Sequence, residues 1–319
     1  MKANRILVVG GAGFVGQHLV ARLSAQNRRV TVPVRRLERA RHLLPLPTVH
    51  VLPADIADDA VLDALISKCD AVINLVGILH DGYGEPYGAA FANAHVELPR
   101  RLVSACERHG VRRLIHVSAL GVPDEGAGDA PSMYLRSKAD GEQLIRDSQL
   151  DWTILRPSVV FGPEDGFMNM FATMQQFLPV IPLARAGTRF QPVYVGDLAQ
   201  AIVNALDKPG CFGKIYELAG PQVFTLEELV RLAGQWSGAA RPVWALPFTL
   251  GQLQASLLGA LPGPKLMTRD NFDSMSVDNV ASGPIAPELG INPTPLASVA
   301  PAYLKRGSRF NAERTRAHR

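Results

Sequence analysis

The sequence predicts an α/β fold, a doubly wound parallel sheet with a smaller C-terminal lobe. Three observations predict it. Residues 6–16, ILVVGGAGFVG, run from four apolar residues into a glycine-rich turn and the start of a helical pattern. Short apolar runs then alternate with helix-length segments as far as Val117, the alternation that parallel strands joined by crossover helices require. With 319 residues and 47% hydrophobic content, the chain can bury a large core and still carry an appendage.

The run Ile6, Leu7, Val8, Val9 suits a central strand covered on both faces, and Phe14, Val15, Leu19, Val20 and Leu23 recur at helical spacing. Gly10 permits a tight turn, Gly13 lets backbone approach a bound group, and Gly16 lets the helix pack closely on the strand. The turn offers unpaired N–H groups and the positive end of a helix dipole, which favour a phosphate; the stretch reads as a dinucleotide site, with a plain strand-to-helix turn as the alternative. The second strand, Arg29–Val34, ends in Arg35 and Arg36. An acidic residue about 20 positions beyond the glycines holds the ribose hydroxyl of NAD, whereas arginine suits the 2′-phosphate of NADP. NADP(H) is therefore favoured over NAD(H), against the alternative of an ordinary basic loop shared with Arg39 and Arg41.

A third strand, 49–52, leads to Asp55 and Ile56, where the carboxylate either meets an adenine amino group or merely caps the turn before the helix expected over 58–67. The fourth, 71–76, ends in Leu75, Val76 and Gly77, a place where backbone can approach a cofactor. Three glycines and a proline in 80–88 mark a mobile flap; beyond it come a long helix over 93–109 and a fifth strand over 114–117, ending at Ser118. Tyr134 and Lys138 stand four apart, so on a helix they share a face. An ammonium beside a phenol favours the phenolate, which makes the pair a proton donor or acceptor; taken alone it reads as a surface helix pair, and downstream of the glycine turn and a strand ending in serine it points to that chemistry.

The glycines at 10, 13 and 16, the Tyr134–Lys138 pair and the run from Leu155 to Pro163, LRPSVVFGP, resemble the extended short-chain dehydrogenase/reductases. The segments RPSVVFGPEDGFMNMF, QPVYVGDLAQAI and SMSVDNVASG are most similar to the branch related to the NADPH-binding accessory subunit of respiratory complex I. The resemblance extends to about Leu304. It implies a Rossmann domain in which Gly10, Gly13, Phe14, Val15 and Gly16 hold the pyrophosphate, Arg35 and Arg36 the ribose phosphate, and Asp55 with Ile56 the adenine. Leu75, Val76, Gly77, Tyr134, Lys138 and Pro157 would surround the nicotinamide and its ribose. Two departures matter. The resemblance implies a catalytic Ser or Thr just beyond the fifth strand, and Ser118, followed by Ala119 and Leu120, stands one residue early. Relatives that use nucleotide sugars place an arginine where this chain has Phe190, with Arg189 adjacent, which disfavours such a substrate.

The expected division is a nucleotide domain over 1–165, rejoined by 191–208, and a smaller lobe from 166–190 and 209–304. Phe167, Met168, Met170, Phe171, Met174 and Phe177 form an apolar helix face, and Thr225 with Glu228 predicts a capping box on a helix over 226–236. Residues 242–264 carry no charge, and Leu250, Leu253, Leu257, Leu258 and Leu261 fall on one helical stripe. The stripe either packs over the lobe or docks on a membrane, a partner subunit or an isoprenoid-type substrate.

The first strand starts close to Met1 and no run of 18 apolar residues exists, so a cytoplasmic protein is expected, peripheral at most to the inner face of a membrane. Cys69, Cys106 and Cys211 are odd in number and far apart, which suits reduced thiols, and the eight histidines lack ligand spacing, so no metal is expected. Lys305, Arg306, Arg309, Arg314, Arg316 and Arg319 face the single acid Glu313 in 305–319; this surplus of five leaves the rest of a +4 chain near −1. The tail reads as a solvated, disordered end and no nucleic-acid partner is expected.

These residues support two functional readings. The first is an NADP(H)-dependent oxidoreductase or epimerase acting on a small or apolar carbonyl or hydroxyl substrate, with Tyr134, Lys138 and Ser118 as its catalytic residues. The alternative, implied by the resemblance, is a non-catalytic NADPH-binding accessory or assembly protein with a respiratory-chain partner, linked to complex I or quinone biosynthesis. Relatives pair through helices matching 93–109 and 132–148, so a homodimer and a monomer are both allowed.

Overall fold

A computed structural model of the protein describes residues 2–124, 126–128, 130–260 and 267–305; residues 261–266, including Leu261, and the basic tail from 306 lie outside the described residues. The chain splits into two compact units. The first comprises Met1–Pro157, Gly196–Leu218 and Gly283–Asn292; the second comprises Ser158–Val195, Ala219–Ser282 and the described residues from Pro293.

Seven parallel strands build the first unit: β1 (Arg5–Val9), β2 (Arg29–Val34), β3 (Val49–Pro53), β4 (Ala71–Asn74), β5 (Arg113–Val117), β6 (Asp151–Pro157) and β7 (Lys214–Leu218). Their order across the sheet is β7-β6-β5-β4-β1-β2-β3. Leu7, Val8, Val9, Val72, Ile73, Ile154 and Leu155 are fully buried, as strands covered on both faces demand. Helices α1 (Phe14–Ala25), α2 (Asp59–Ile66), α3 (Leu98–His109) and α4 (Met133–Arg146) form the crossovers. The helix expected over 93–109 begins instead as a π-helical turn, Ala92–Glu97, before α3. Strand order reverses between β1 and β4, and in such sheets ligands bind at that switch, beyond the carboxyl ends.

Sequence reasoning places residues 209–304 in the second lobe, whereas Lys214–Leu218 is an edge strand of the main sheet, paired with β6. A buried cation anchors the helix that precedes this strand. Arg113 on β5 donates to the carbonyls of Ala205 and Leu206 and to Thr153 Oγ1, satisfying the last carbonyls of the helix Val195–Leu206 and fastening it to this unit. Burial lowers the Arg113 guanidinium to about 10, and its ring of oxygen acceptors keeps it charged. Val193–Tyr194, expected to start the return to the sheet, pairs instead with Val160–Phe161 in a short parallel ladder of the second unit.

In that second unit, the helices Phe167–Phe177, Leu226–Ser237 and Leu296–Leu304 share a core with Phe161, Ile181 and Leu183. Thr225 and Glu228 close the capping box by exchanging bonds between side chain and backbone. Helix Phe248–Ala260 packs through Gly251 and Ala255, so Leu250, Leu253 and Leu257 point outward, with Trp244 and Phe248 also exposed. The leucine stripe is therefore not the packing face.

Helix α4 is held on the sheet by the buried pair of Arg156 on β6 and Glu142, with Nη2 to Oε2 2.6 Å and Nε to Oε1 3.0 Å. Burial alone would depress the guanidinium, but the bonds and charge of Glu142, aided by Asp124, hold it above its ordinary value. Removing one partner strands the other charge in the interior. Glu142→Gln is expected to cost about 3–5 kcal/mol by urea denaturation, and pairing Glu142→Leu with Arg156→Met is expected to recover most of it.

Candidate functional site

Every residue expected at the nucleotide lies in the first unit, at the carboxyl edge of its sheet. Register fixes this. Val9 pairs with Asn74, Asn74 with His116 and His116 with Ile154, so Gly10, Leu75, Ser118 and Pro157 all lie just past a strand end or at it. Gly10 adopts a φ of +83°, and a Cβ there would stand 3.2 Å from the backbone of Leu75 and Val76. At Gly16 a Cβ would run into the carbonyl of Gly10, 2.6 Å away, so only glycine lets α1 start so close to the strand end. Gly13 is the N-cap of α1 and supplies no capping side chain, and the first turn holds no acidic residue. The N–H groups of Phe14, Val15 and Gly16 therefore face outward from a positive helix end, which fits a pyrophosphate.

Arg35 and Arg36 leave β2 as exposed side chains, without an ion-pair partner among the described residues. Asp55 Oδ1 accepts from Ala57 N–H, so the turn it was expected to cap is one of its roles, while Asp58 caps α2 itself. Ile56 packs on the core and its carbonyl accepts from Arg101. The 80–88 loop, expected as a mobile flap, is anchored: Tyr87 donates to Asp140 at 2.8 Å and Arg136 to the carbonyl of Pro86 at 2.9 Å.

On α4, Ser132 caps the helix start; Tyr134 is half-buried and Lys138 buried. Lys138 Nζ donates to the carbonyl of Val117 at 3.3 Å and lies 3.3 Å from the place a Cβ on Gly77 would occupy, so the ends of β4 and β5 and the face of α4 converge on one ammonium. Ser118 is 5% exposed and its Oγ has no hydrogen-bond partner among the described residues, as is true of His116 Nε2. Sequence reasoning misses three contributors. Asn74 bridges His116 Nδ1 and the N–H of Val76; His95 contacts Ser137 and Ile78; Glu142 braces the helix. Only Glu142, one turn beyond Lys138, carries a local signal.

Burial pushes the Lys138 amine down to about 8, and the nearby Glu142 charge offsets part of that cost. An unfolded lysine titrates near 10.5, so between about 8 and 10.5 the unfolded chain binds more protons and stability owed to Lys138 rises with pH. Relative to wild type, the advantage of Lys138→Met is expected to shrink by on the order of 3 kcal/mol from neutral pH to about pH 10.5, measured by urea denaturation.

The site geometry is that of a nucleotide-binding parallel sheet, and the comparisons agree. The NAD dependent epimerase/dehydratase family model matches residues 6–219. An Arabidopsis thaliana protein named NADH dehydrogenase [ubiquinone] 1 alpha subcomplex subunit 9, mitochondrial, is 33% identical over 86% of this chain and 70% of its own length. Its Mus musculus counterpart is 32% identical over 94% of this chain and 79% of its own. The solved structure of a Streptomyces venezuelae dTDP-glucose 4,6-dehydratase superposes with a TM-score of 0.72 at 22% identity, over 97% of each chain. The glycine turn at the switch point, the Tyr134–Lys138 helix and a match covering most of the sheet together make this chain a member of the NAD dependent epimerase/dehydratase family.

Proposed function

We propose that the protein is a nucleotide-holding accessory or assembly protein of respiratory complex I, with NADP(H) preferred over NAD(H). The observation that carries this reading is the extent of the likeness to complex I subunits, which spans both units at about a third identity. The phosphate-facing turn, Arg35 and Arg36 support a nucleotide with a 2′-phosphate. Gly10, Gly13, Phe14, Val15 and Gly16 would take the pyrophosphate, Asp55 and Ile56 the adenine, and Leu75, Val76, Gly77, Tyr134, Lys138 and Pro157 the nicotinamide ribose. When bound, the cofactor supplies a nicotinamide able to accept or give a hydride. Ser118 supports a holding role, because its hydroxyl is closed off from solvent where a substrate oxygen would need to reach it. No helix among the described residues is long and apolar enough to cross a membrane, and the outward face of Trp244, Phe248, Leu250, Leu253 and Leu257 is the surface a partner subunit would cover. That partnership puts the protein beside the membrane that carries the complex.

A second reading, an oxidoreductase or epimerase acting on a small or apolar carbonyl or hydroxyl compound, is favoured by one observation. A buried lysine with a lowered pKa shares α4 with Tyr134, a pairing suited to moving a proton. In that case Tyr134→Phe abolishes turnover with nucleotide affinity retained; unchanged turnover removes the phenol from the chemistry.

The primary reading is tested by native electrophoresis of mildly solubilised membranes. Co-migration with NADH:ubiquinone oxidoreductase activity is expected, along with its loss in Leu253→Glu; migration of the wild type apart from the complex overturns the reading. In calorimetry, replacing Arg35 and Arg36 by alanine is expected to weaken NADPH binding by roughly 10- to 100-fold while leaving NADH within about threefold. Equal loss of both nucleotides would remove the arginines from phosphate recognition.

A further inference from the structure

The π-helical turn Ala92–Glu97 presents His95, which is 1% exposed and lies between two parts of the nucleotide site. Its Nε2 accepts from the N–H of Ile78 at 3.1 Å, in the loop after β4. An accepting Nε2 fixes the neutral tautomer with its proton on Nδ1, and Nδ1 stands 2.8 Å from Ser137 Oγ. Ser137 in turn donates to the carbonyl of Tyr134 at 2.8 Å. Three consecutive hydrogen bonds thus run from the Gly77–Ile78 loop to the first turn of α4, each with one donor and one acceptor correctly disposed.

Aromatic rings flank the imidazole on two sides. It stacks on Phe91 at 5.4 Å and meets the Tyr134 ring edge-on at 5.5 Å. Burial, then the charge of Lys138 and the neighbouring His116, lower its pKa to about 2, so the neutral tautomer persists through the working pH range. His95 Nε2 also lies 3.9 Å from the place a Cβ on Gly77 would take, beside Lys138 Nζ.

We infer that His95 is a positioning residue: through Ser137 it ties the Gly77–Ile78 loop to Tyr134, so that the two segments assigned to the nicotinamide end of the nucleotide are held as one body. The assignment of those segments rests on the reading proposed above. The tie itself is a property of the free protein, so the two can fail separately. Without the ring, Ile78 loses its acceptor, the loop gains freedom, and ordering it is charged against binding of the nicotinamide end only.

The test uses the full chain with His95→Phe, which keeps an aromatic ring but neither bond, and His95→Gln, which restores an acceptor for Ile78. Amide exchange at Ile78 by NMR is expected to speed up by roughly three- to tenfold in His95→Phe and to return towards wild type in His95→Gln. NADPH affinity is expected to fall by roughly three- to tenfold in His95→Phe, while 2′-phospho-ADP-ribose, which ends before the nicotinamide, binds within about twofold of wild type. Unchanged exchange at Ile78, or equal weakening of both ligands, overturns the inference. A wild type that binds neither ligand overturns the nucleotide reading instead, and exchange at Ile78 then decides the tie by itself. Should His95→Phe fail to fold, Ser137→Ala cuts the same chain at its middle link and is expected to show the same split between the two ligands.

Discussion

The buried pair of Arg156 and Glu142 sets where α4 lies, and the site depends on where α4 lies. Two opposite charges in the interior tolerate little displacement, because their desolvation is offset only while the fork of the guanidinium stays on the carboxylate. Glu142 is one turn beyond Lys138 and two beyond Tyr134, so fixing it fixes the face on which both stand. Arg156 immediately precedes Pro157 at the sheet edge, and the pair therefore ties strand end and helix face into one rigid corner. The same carboxylate also offsets part of the cost of burying Lys138. One acidic residue serves both the helix and the ammonium.

A second constraint comes from the sheet. Parallel strands in register deliver their carboxyl ends to a common edge, and the segment leaving each strand must either turn away or stay to bind. After β1 the turn is so tight that a side chain on Gly16 would collide with the carbonyl of Gly10, and glycine at the N-cap, Gly13, leaves the amides of α1 free of side-chain caps. After β4 and β5 the chain approaches Lys138 from two sides, through Gly77 and the carbonyl of Val117. A helix end suited to a phosphate and a cationic end thus arise from one topology, and they meet where Gly10 comes close to the backbone of Leu75 and Val76.

A feature is legible in the sequence to the extent that it is local. The glycine turn, the four-residue spacing of Tyr134 and Lys138, and the capping box of Thr225 and Glu228 are set by residues within a turn or two of one another, and all appear in the structure as elements of the expected kind. The membership of Lys214–Leu218 in the main sheet was not legible, because it depends on pairing with β6, which lies far back in the chain. The leucine stripe over 250–261 illustrates a different limit. Periodicity identifies a face but carries no sign, and here Gly251 and Ala255 take the inward side while Leu250, Leu253 and Leu257 look out. His95 left no trace, since its partners Ile78 and Ser137 are 17 and 42 residues distant in opposite directions.

Holding a nucleotide and using it make different demands on the same corner. Under either reading proposed above the ammonium of Lys138 would face the nucleotide, and its hydrogen bonds gain strength from the burial that lowers its pKa. Under either reading the half-buried phenol of Tyr134 would serve, to bind a ribose or to move a proton. Only turnover needs a hydroxyl that reaches a substrate oxygen, and that demand falls on the end of β5. There the N–H of Ser118 is committed to the carbonyl of Leu155 at 2.7 Å, which fixes the backbone, and the Oγ is sealed from solvent.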